Sequence, residues 1–263
     1  DSLALRYGGY EALRSGWVSN ILFNPHVGAE ILENIATEAG AEIRFGTTAT
    51  AIERKDSRIP WQIRLSDGTR IRTRILIDGT ELGDVACSVG AASLDDSRAV
   101  QDLTYVAILK EYDHDVPMDR PAGYDIDKYR SCCLNPLAEN REGNTPKGQK
   151  LWNAVQMLSY GRLPDGHIML NWPICGNDFY ADYLDLPEEG RRAAFDKAKL
   201  HTLGFVYFLQ QELGFTRIGI ADDVFPTADG LPFFPYFREA RRLAGGDTIT
   251  GAVSRNPYRF ERE

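Results

Sequence analysis

The sequence predicts an α/β protein, on three observations. A helical apolar stripe over residues 27–39 is followed at once by a run of short strand-like segments. Residues 75–92, ILIDGTELGDVACSVGAA, read as a buried strand that breaks into an acidic, glycine-bearing turn and then a helix of small residues. A second amphipathic stretch occupies residues 188–213.

Each element has its own signal. Val27, Ile31 and Ile35, with Leu32, Ala36 and Ala39 beside them, form the stripe of an amphipathic helix, and Gly40 is placed to end it. AEIRFGTTATAIERK, WQIRLSDG and TRIRTRILIDGT then read as strands, the middle pair joined by a turn at Ser66, Asp67 and Gly68. In the turn after Ile77, Gly79 and Gly83 carry no side chain, so backbone can approach a ligand closely, which points to a nucleotide-type cofactor. Residues 94–150 are rich in Pro, Gly, Asp and Asn and read as loops around one strand-like core, LTYVAILKEY. HIMLNWPICGNDFYADYL starts as a strand and turns polar and aromatic after Pro173. The helix over 188–213 has Phe195, Ala198, Phe205, Phe208 and Leu209 among its apolar positions, acids at its start and Gly214 after its end. PTADGLPFFPYFREARRLAGGDTIT predicts an extended entry, a short basic segment and a strand.

Composition excludes several function classes. At 263 residues and 43% hydrophobic content the chain can bury a large core and is expected to be soluble. A net charge of -8 and the lack of any long Lys/Arg run argue against nucleic acid as a partner. No apolar stretch reaches the roughly 18 to 20 residues of a membrane span. Cys87, Cys132, Cys133 and Cys175 show neither a disulfide framework nor a CxxC pair, and His26, His114, His167 and His201 show no metal spacing, so no metal is expected. Asp222 and Asp223 sit in no oxygen-rich loop of the kind that holds calcium. There is no G-x-S-x-G elbow and no Walker sequence. The chain opens at Asp1 without a signal sequence and reads as a piece of something longer, which leaves the compartment, cytoplasmic or periplasmic, open.

Residues 77–84 also carry a resemblance. Ile77, Asp78, Thr80, Gly83 and Asp84 match a run of the form I-D-A-T-x-x-G-D-L, with Gly79 in place of the Ala. GWVSNILFNP, QDLTYVAIL, NWPICGNDFY, HTLGFVYFLQQELG and PTADGLPFFPYFREARRLAG follow the same pattern in order. Together they resemble FAD-dependent oxidoreductases of the glutathione reductase-like superfamily, in a subfamily sometimes labelled xanthan lyase-like. The resemblance implies a partial FAD-binding, Rossmann-like domain with a β-meander over residues 1–93. It further implies an α+β substrate domain over 94–235 and a return segment toward the FAD-binding domain over 236–263. In that layout the first helix packs on the nucleotide-binding sheet and the last meander strand re-enters it. Two features depart from the family. The chain contains no G-x-G-x-x-G sequence, the main phosphate-binding loop, and it stops before the G-D-Y-P-like stretch that returns to the flavin.

FAD is the cofactor that the resemblance implies, with contacts at Asp78, Gly79, Thr80 and Glu81, Asp84 at the helix start and the backbone of Ala51 at the adenine side. A competing reading makes Asp78 a plain cap for the helix that follows. Arg238, Glu239, Arg241 and Arg242 would lie near flavin and substrate, with Arg238 the first choice for a catalytic cation and Glu239 and Arg242 as substrate contacts. The competing reading is a solvated basic helix. His26, beside a helix start, is a second catalytic candidate, as general base. Asn171, Trp172, Asn177 and Tyr180 combine aromatic faces with amides, as a sugar ring requires; the alternative is a strand and aromatic loop packed on its neighbours. The expected reaction is hydride transfer from a small hydroxylated substrate, a carbohydrate among the candidates, to flavin. The alternative is a non-catalytic glycan- or protein-binding module derived from that fold.

Overall fold

The structure, a computed structural model, describes residues 1–14, 21–94, 100–130, 158–172 and 176–244. In chain order its elements are α1 (Ser2–Tyr7), a 3-10 turn (Tyr10–Leu13), α2 (Pro25–Glu38), β1 (Ala49–Arg54), β2 (Trp61–Leu65), β3 (Arg70–Thr73), α3 (Asp84–Ser88), β4 (Leu103–Thr104), β5 (Ala107–Glu111), α4 (Asp127–Arg130), β6 (Ile168–Leu170), β7 (Asp178–Phe179), α5 (Glu188–Gln211) and β8 (Ile218–Ile220). The chain is thus α/β. It divides into two units, a larger one of Asp1–Phe45 with Ala99–Arg238 and a smaller one of Gly46–Arg98 with Glu239–Glu263. The α2 helix groups with the larger unit, whereas the sequence grouped it with the meander.

In the larger unit, α2 begins where Asn24 accepts a hydrogen bond from the His26 backbone N–H at 3.0 Å and Pro25 fills the first helical position, where its missing N–H costs nothing. The chain leaves the helix through Gly40 at φ +76°, a conformation that side chains disfavour. The apolar stripe that predicts this helix is only partly covered: Val27, Ile31 and Ala36 are half-buried. No residue of α2 is buried, and Leu32 and Ile35 are 68% and 53% exposed, so the expected packing on a sheet is absent from this unit.

The core of this unit lies between α5 and an antiparallel sheet in the order β6-β5-β8. Leu109 from β5, Ile168 and Leu170 from β6 and Ile218 from β8 meet Phe205, Phe208 and Leu209 of α5. Each such buried side chain contributes about 1.5 to 3 kcal/mol relative to exposure. Glu188 and Glu189 favour the positive end of the helix, and Gly214 turns the chain at φ +76° toward β8. β4 and β7 form a separate two-stranded ladder with Leu103 opposite Phe179 and Thr104 opposite Asp178. Tyr236 bridges Thr104 from the other side.

The smaller unit holds the meander β1-β2-β3, antiparallel throughout. Gly68 at φ +85° closes the β2-β3 turn, and Asp67 accepts the Thr69 N–H at 2.8 Å. A bulge between Ala49 and Ala51 separates the first rung from the rest. Alternation then sorts the side chains: Ile52, Ile63 and Ile71 share one face, while Ala51, Arg64 and Arg70 share the other.

Two strand expectations are corrected here. The first strand is only Ala49–Arg54, residues 41–48 being irregular. After β3 the apolar run 75–77 pairs with no strand among the described residues, and Ile75 and Ile77 are 73% and 84% exposed. Continuous hydrophobicity signals a buried strand only where a neighbouring strand takes its backbone groups, and here the Ile75 N–H and carbonyl bond the Thr73 hydroxyl instead. The strand expected over residues 247–250, like Cys132, Cys133 and Cys175, lies outside the described residues.

Candidate functional site

The two-stranded ladder of the larger unit assembles a polar cluster. Because bridged residues share a face, Asp178, Thr104 and Tyr236 stand in one row across β7, β4 and the segment before Arg238. Arg238 closes over that row. Its Nη1 donates to the Asp102 carbonyl at 2.7 Å and to Thr104 Oγ1 at 2.9 Å. Its Nη2 donates to Asp178 Oδ1 at 2.9 Å and to Asn171 Oδ1 at 3.3 Å. Thr104 Oγ1 passes its own proton to Asp178 Oδ1 in a short bond, and the guanidinium carbon sits 5.3 Å from the Tyr236 ring centre. All four terminal N–H groups of Arg238 are therefore committed within the protein. The cation holds a carboxylate, a hydroxyl and an amide in fixed positions; it has no terminal donor left over for a ligand.

Two titratable neighbours are shifted. Burial pushes the Asp102 carboxyl up and the Asp178 charge adds to it, against the pull of Arg238. Asp102 makes no side-chain hydrogen bond among the described residues, which leaves it as the polar group of this cluster not yet engaged. Burial also pushes the Tyr160 phenol up to about 12, with Asp178 contributing, and its hydroxyl donates to the Asn171 carbonyl at 2.5 Å. Tyr236, Tyr180, Phe233 and Phe234 present exposed aromatic rings from the same strands and their flanks.

Trp172 and Asn177, expected at a binding surface, are placed inside. Trp172 is buried in the core, edge-on to Tyr160 at 5.5 Å between ring centres. Asn177 is fully buried; its Nδ2 donates to the Tyr105 and Leu170 carbonyls at 3.0 and 2.8 Å, and its Oδ1 accepts the Trp172 N–H at 2.7 Å. That amide ties the end of β6 to Tyr105, in the link between β4 and β5. A buried amide that satisfies three backbone groups cannot also face a ligand.

The smaller unit contains the second cluster, at the turn before α3. Asp78 Oδ1 accepts the Thr80 N–H at 2.8 Å and the Thr80 hydroxyl at 2.7 Å, while Oδ2 accepts the Ala86 N–H at 2.7 Å inside the first turn of α3. Thr80 Oγ1 accepts the Asp84 N–H at 2.9 Å. The capping reading of Asp78 is thus a geometric fact. Burial pushes its carboxyl up, but the bonds from Thr80 and Ala86 outweigh it and hold the group below its ordinary range. Arg241, its side chain 14% exposed, ties the return segment to this turn by donating to Asp84 Oδ1 at 2.5 Å and to the Leu82 carbonyl at 3.1 Å. Backbone bonds from Leu94 N–H to the Arg242 carbonyl, 2.7 Å, and from Ala244 N–H to the Ala92 carbonyl, 2.8 Å, extend the seam.

What the corner offers a ligand is backbone. The Gly79 and Glu81 N–H groups have no partner among the described residues, both residues are exposed, and a Cβ built on Gly79 would meet nothing within 4 Å. The Asp78 carboxylate and the Thr80 hydroxyl, by contrast, already serve the turn. These residues fit the edge of a dinucleotide through two amides and an open glycine face. Ala51 lies on the meander, half-buried.

The remaining candidates sit apart from both clusters. The His26 ring is exposed on the first turn of α2 and takes part in no hydrogen bond or ion pair among the described residues. Glu239 pairs with Arg242 on the return segment, which is irregular, so the solvated basic helix is not what forms. Asp222 faces Lys110 at 2.5 Å, and Asp223 faces the His167 ring at 3.1 Å. No group of three or more side chains able to hold a metal occurs among the described residues. Nor is any helix among them long and apolar enough to cross a membrane.

Sequence reasoning passed over Asp102, Thr104 and the Arg241–Asp84 pair. The first two lie in QDLTYVAIL at a spacing of two, which places them on one face of a strand, and that alternation was the available signal. Nothing local announces that Arg241 reaches a carboxylate 157 residues away.

No curated protein and no solved structure matches the chain. A family model described as FAD dependent oxidoreductase matches residues 2–261. With that match running almost end to end, over a chain whose glycine corner and α/β order fit it, this chain belongs to the FAD-dependent oxidoreductase family of enzymes.

Proposed function

We propose that this oxidoreductase removes a hydride from a carbon bearing a hydroxyl, on a polyol or sugar, and passes it to FAD bordered by the glycine corner of the smaller unit. FAD, when bound, supplies the electron acceptor for that hydride. The amides of Gly79 and Glu81 and the backbone of Ala51 would hold it. The observation that carries the substrate reading is the exposed Tyr236 ring stacked on Arg238, with exposed Tyr180 two residues from Asp178, the carboxylate that Arg238 fixes. Sugar rings present apolar faces to aromatic side chains and hydroxyls to fixed acceptors. Asp178 would supply the acceptor, and Asp102, with its carboxyl pushed up by burial, would take a hydroxyl proton.

Adding polyols and monosaccharides to the FAD-loaded protein without oxygen should bleach the flavin absorbance with at least one of them. Bleaching by amines or thiols alone, with every hydroxylated compound inert, would overturn the substrate reading. A second reading, the non-catalytic binding module, is favoured by the lack of a G-x-G-x-x-G sequence. A colourless protein that takes up no FAD and still binds an oligosaccharide would support it.

A further inference from the structure

The meander is the basic part of an acidic chain. Residues 49–74 carry seven Lys and Arg against three Asp and Glu, a net charge of +4 in a chain of net charge -8. Register concentrates that charge on one face. Arg64 stands directly opposite Arg70, and Arg72, two residues along β3, stands opposite Gln62. All three arginines line a shallow concavity with Ala51, Glu53 and Gln62. Like charges directly across an antiparallel pair are destabilising, at Cβ separations of about 5 Å. The sheet nevertheless places Arg64 and Arg70 there, and none of the three guanidiniums makes a hydrogen bond or an ion pair among the described residues. Glu53, the acid that shares the face, is paired with Lys55 at 2.5 Å and feels Arg64 only at longer range.

We infer that the Arg64, Arg70 and Arg72 face of the meander is a binding site for a small phosphate-bearing polyanion of the pyrophosphate class. Guanidinium groups bind phosphate oxygens through paired, planar, charge-assisted N–H donors. Three of them on one sheet face, spaced by one rung and one strand repeat, match an anion with two linked charged centres better than a single carboxylate. Binding also removes the Arg64–Arg70 repulsion that the empty face carries. The site stands on these arginines alone and does not depend on the proposed substrate.

Calorimetric titration of the whole chain with inorganic pyrophosphate tests this. One equivalent should bind, with affinity falling as salt rises from 50 to 200 mM. Arg64→Gln and Arg70→Gln should each weaken binding roughly tenfold and the double variant should abolish it. Arg70→Gln should in addition leave the ligand-free protein as stable as the parent or more so, which separates lost binding from lost folding. Arg58→Gln, outside this face, should bind as the parent does. No measurable binding, equal binding of citrate, or undiminished binding by the double variant would each overturn the assignment.

Discussion

Replacing Arg238 by methionine is expected to lower the folding stability of the larger unit by about 3 to 5 kcal/mol, the cost typical of removing one partner from a buried ion pair. The side chains of Arg238 and Asp178 are only 20% and 9% exposed, so water replaces the lost donors poorly. The variant leaves Asp178 with the Thr104 hydroxyl as its remaining partner among these groups, and it frees the Asn171 amide oxygen and the Asp102 carbonyl. At about 2 to 4 °C per kcal/mol, the thermal midpoint should drop by on the order of 10 °C. Arg238→Lys restores charge but not the planar four-donor arrangement, so it should recover only part of that loss. Chemical denaturation followed by fluorescence measures both. If Arg238 instead served only as a ligand clamp, stability would stay within about 0.5 kcal/mol and only the KM would change.

The second large effect is expected at Asn177. Its alanine variant takes the partner from the buried Trp172 N–H and weakens the satisfaction of two carbonyls, that of Leu170, which keeps its place in the ladder opposite Ala107, and that of Tyr105, which keeps a bond from Thr202 Oγ1 at 2.9 Å. At about 1 to 3 kcal/mol for a buried group left without a partner, with the two weakened carbonyls adding to it, the loss should reach about 2 kcal/mol or more. Asn177→Asp keeps the acceptor, loses both donors and brings a charge into the interior, so at neutral pH it should be at least as damaging. Urea denaturation of both variants decides the matter. A variant of parental stability with weakened substrate binding would return Asn177 to the binding surface and remove it from the fold.

Local chemistry made the regular elements legible. The 3.6-residue stripes and glycine stops located α2 and α5, and the period-two runs with the Asp67–Gly68 turn located the β2-β3 hairpin. The start of α2 falls at Pro25, two residues before its apolar stripe, because the cap at Asn24 sets it and caps are polar. Ile75 and Ile77 misled because a strand needs a partner as well as hydrophobicity. The candidate site was legible as a set of segments and illegible as a set of contacts. Arg238 and Arg241 looked alike in REARR, yet one is bound to the β4-β7 ladder and the other to the turn before α3. Trp172 and Asn177 carried the chemistry of a sugar site and serve as core and backbone mimic, since burial depends on residues distant in sequence.

Fluorescence titration of FAD against the full chain, side by side with its Gly79→Val variant, tests the central claim most directly. A side chain at Gly79 meets no protein atom within 4 Å, so the variant should fold with the stability of the parent while its branched side chain blocks close approach to the corner. One FAD should bind per parent chain, with affinity lowered at least tenfold in the variant. Equal FAD affinity in the two proteins, or no uptake by the parent, would contradict that claim.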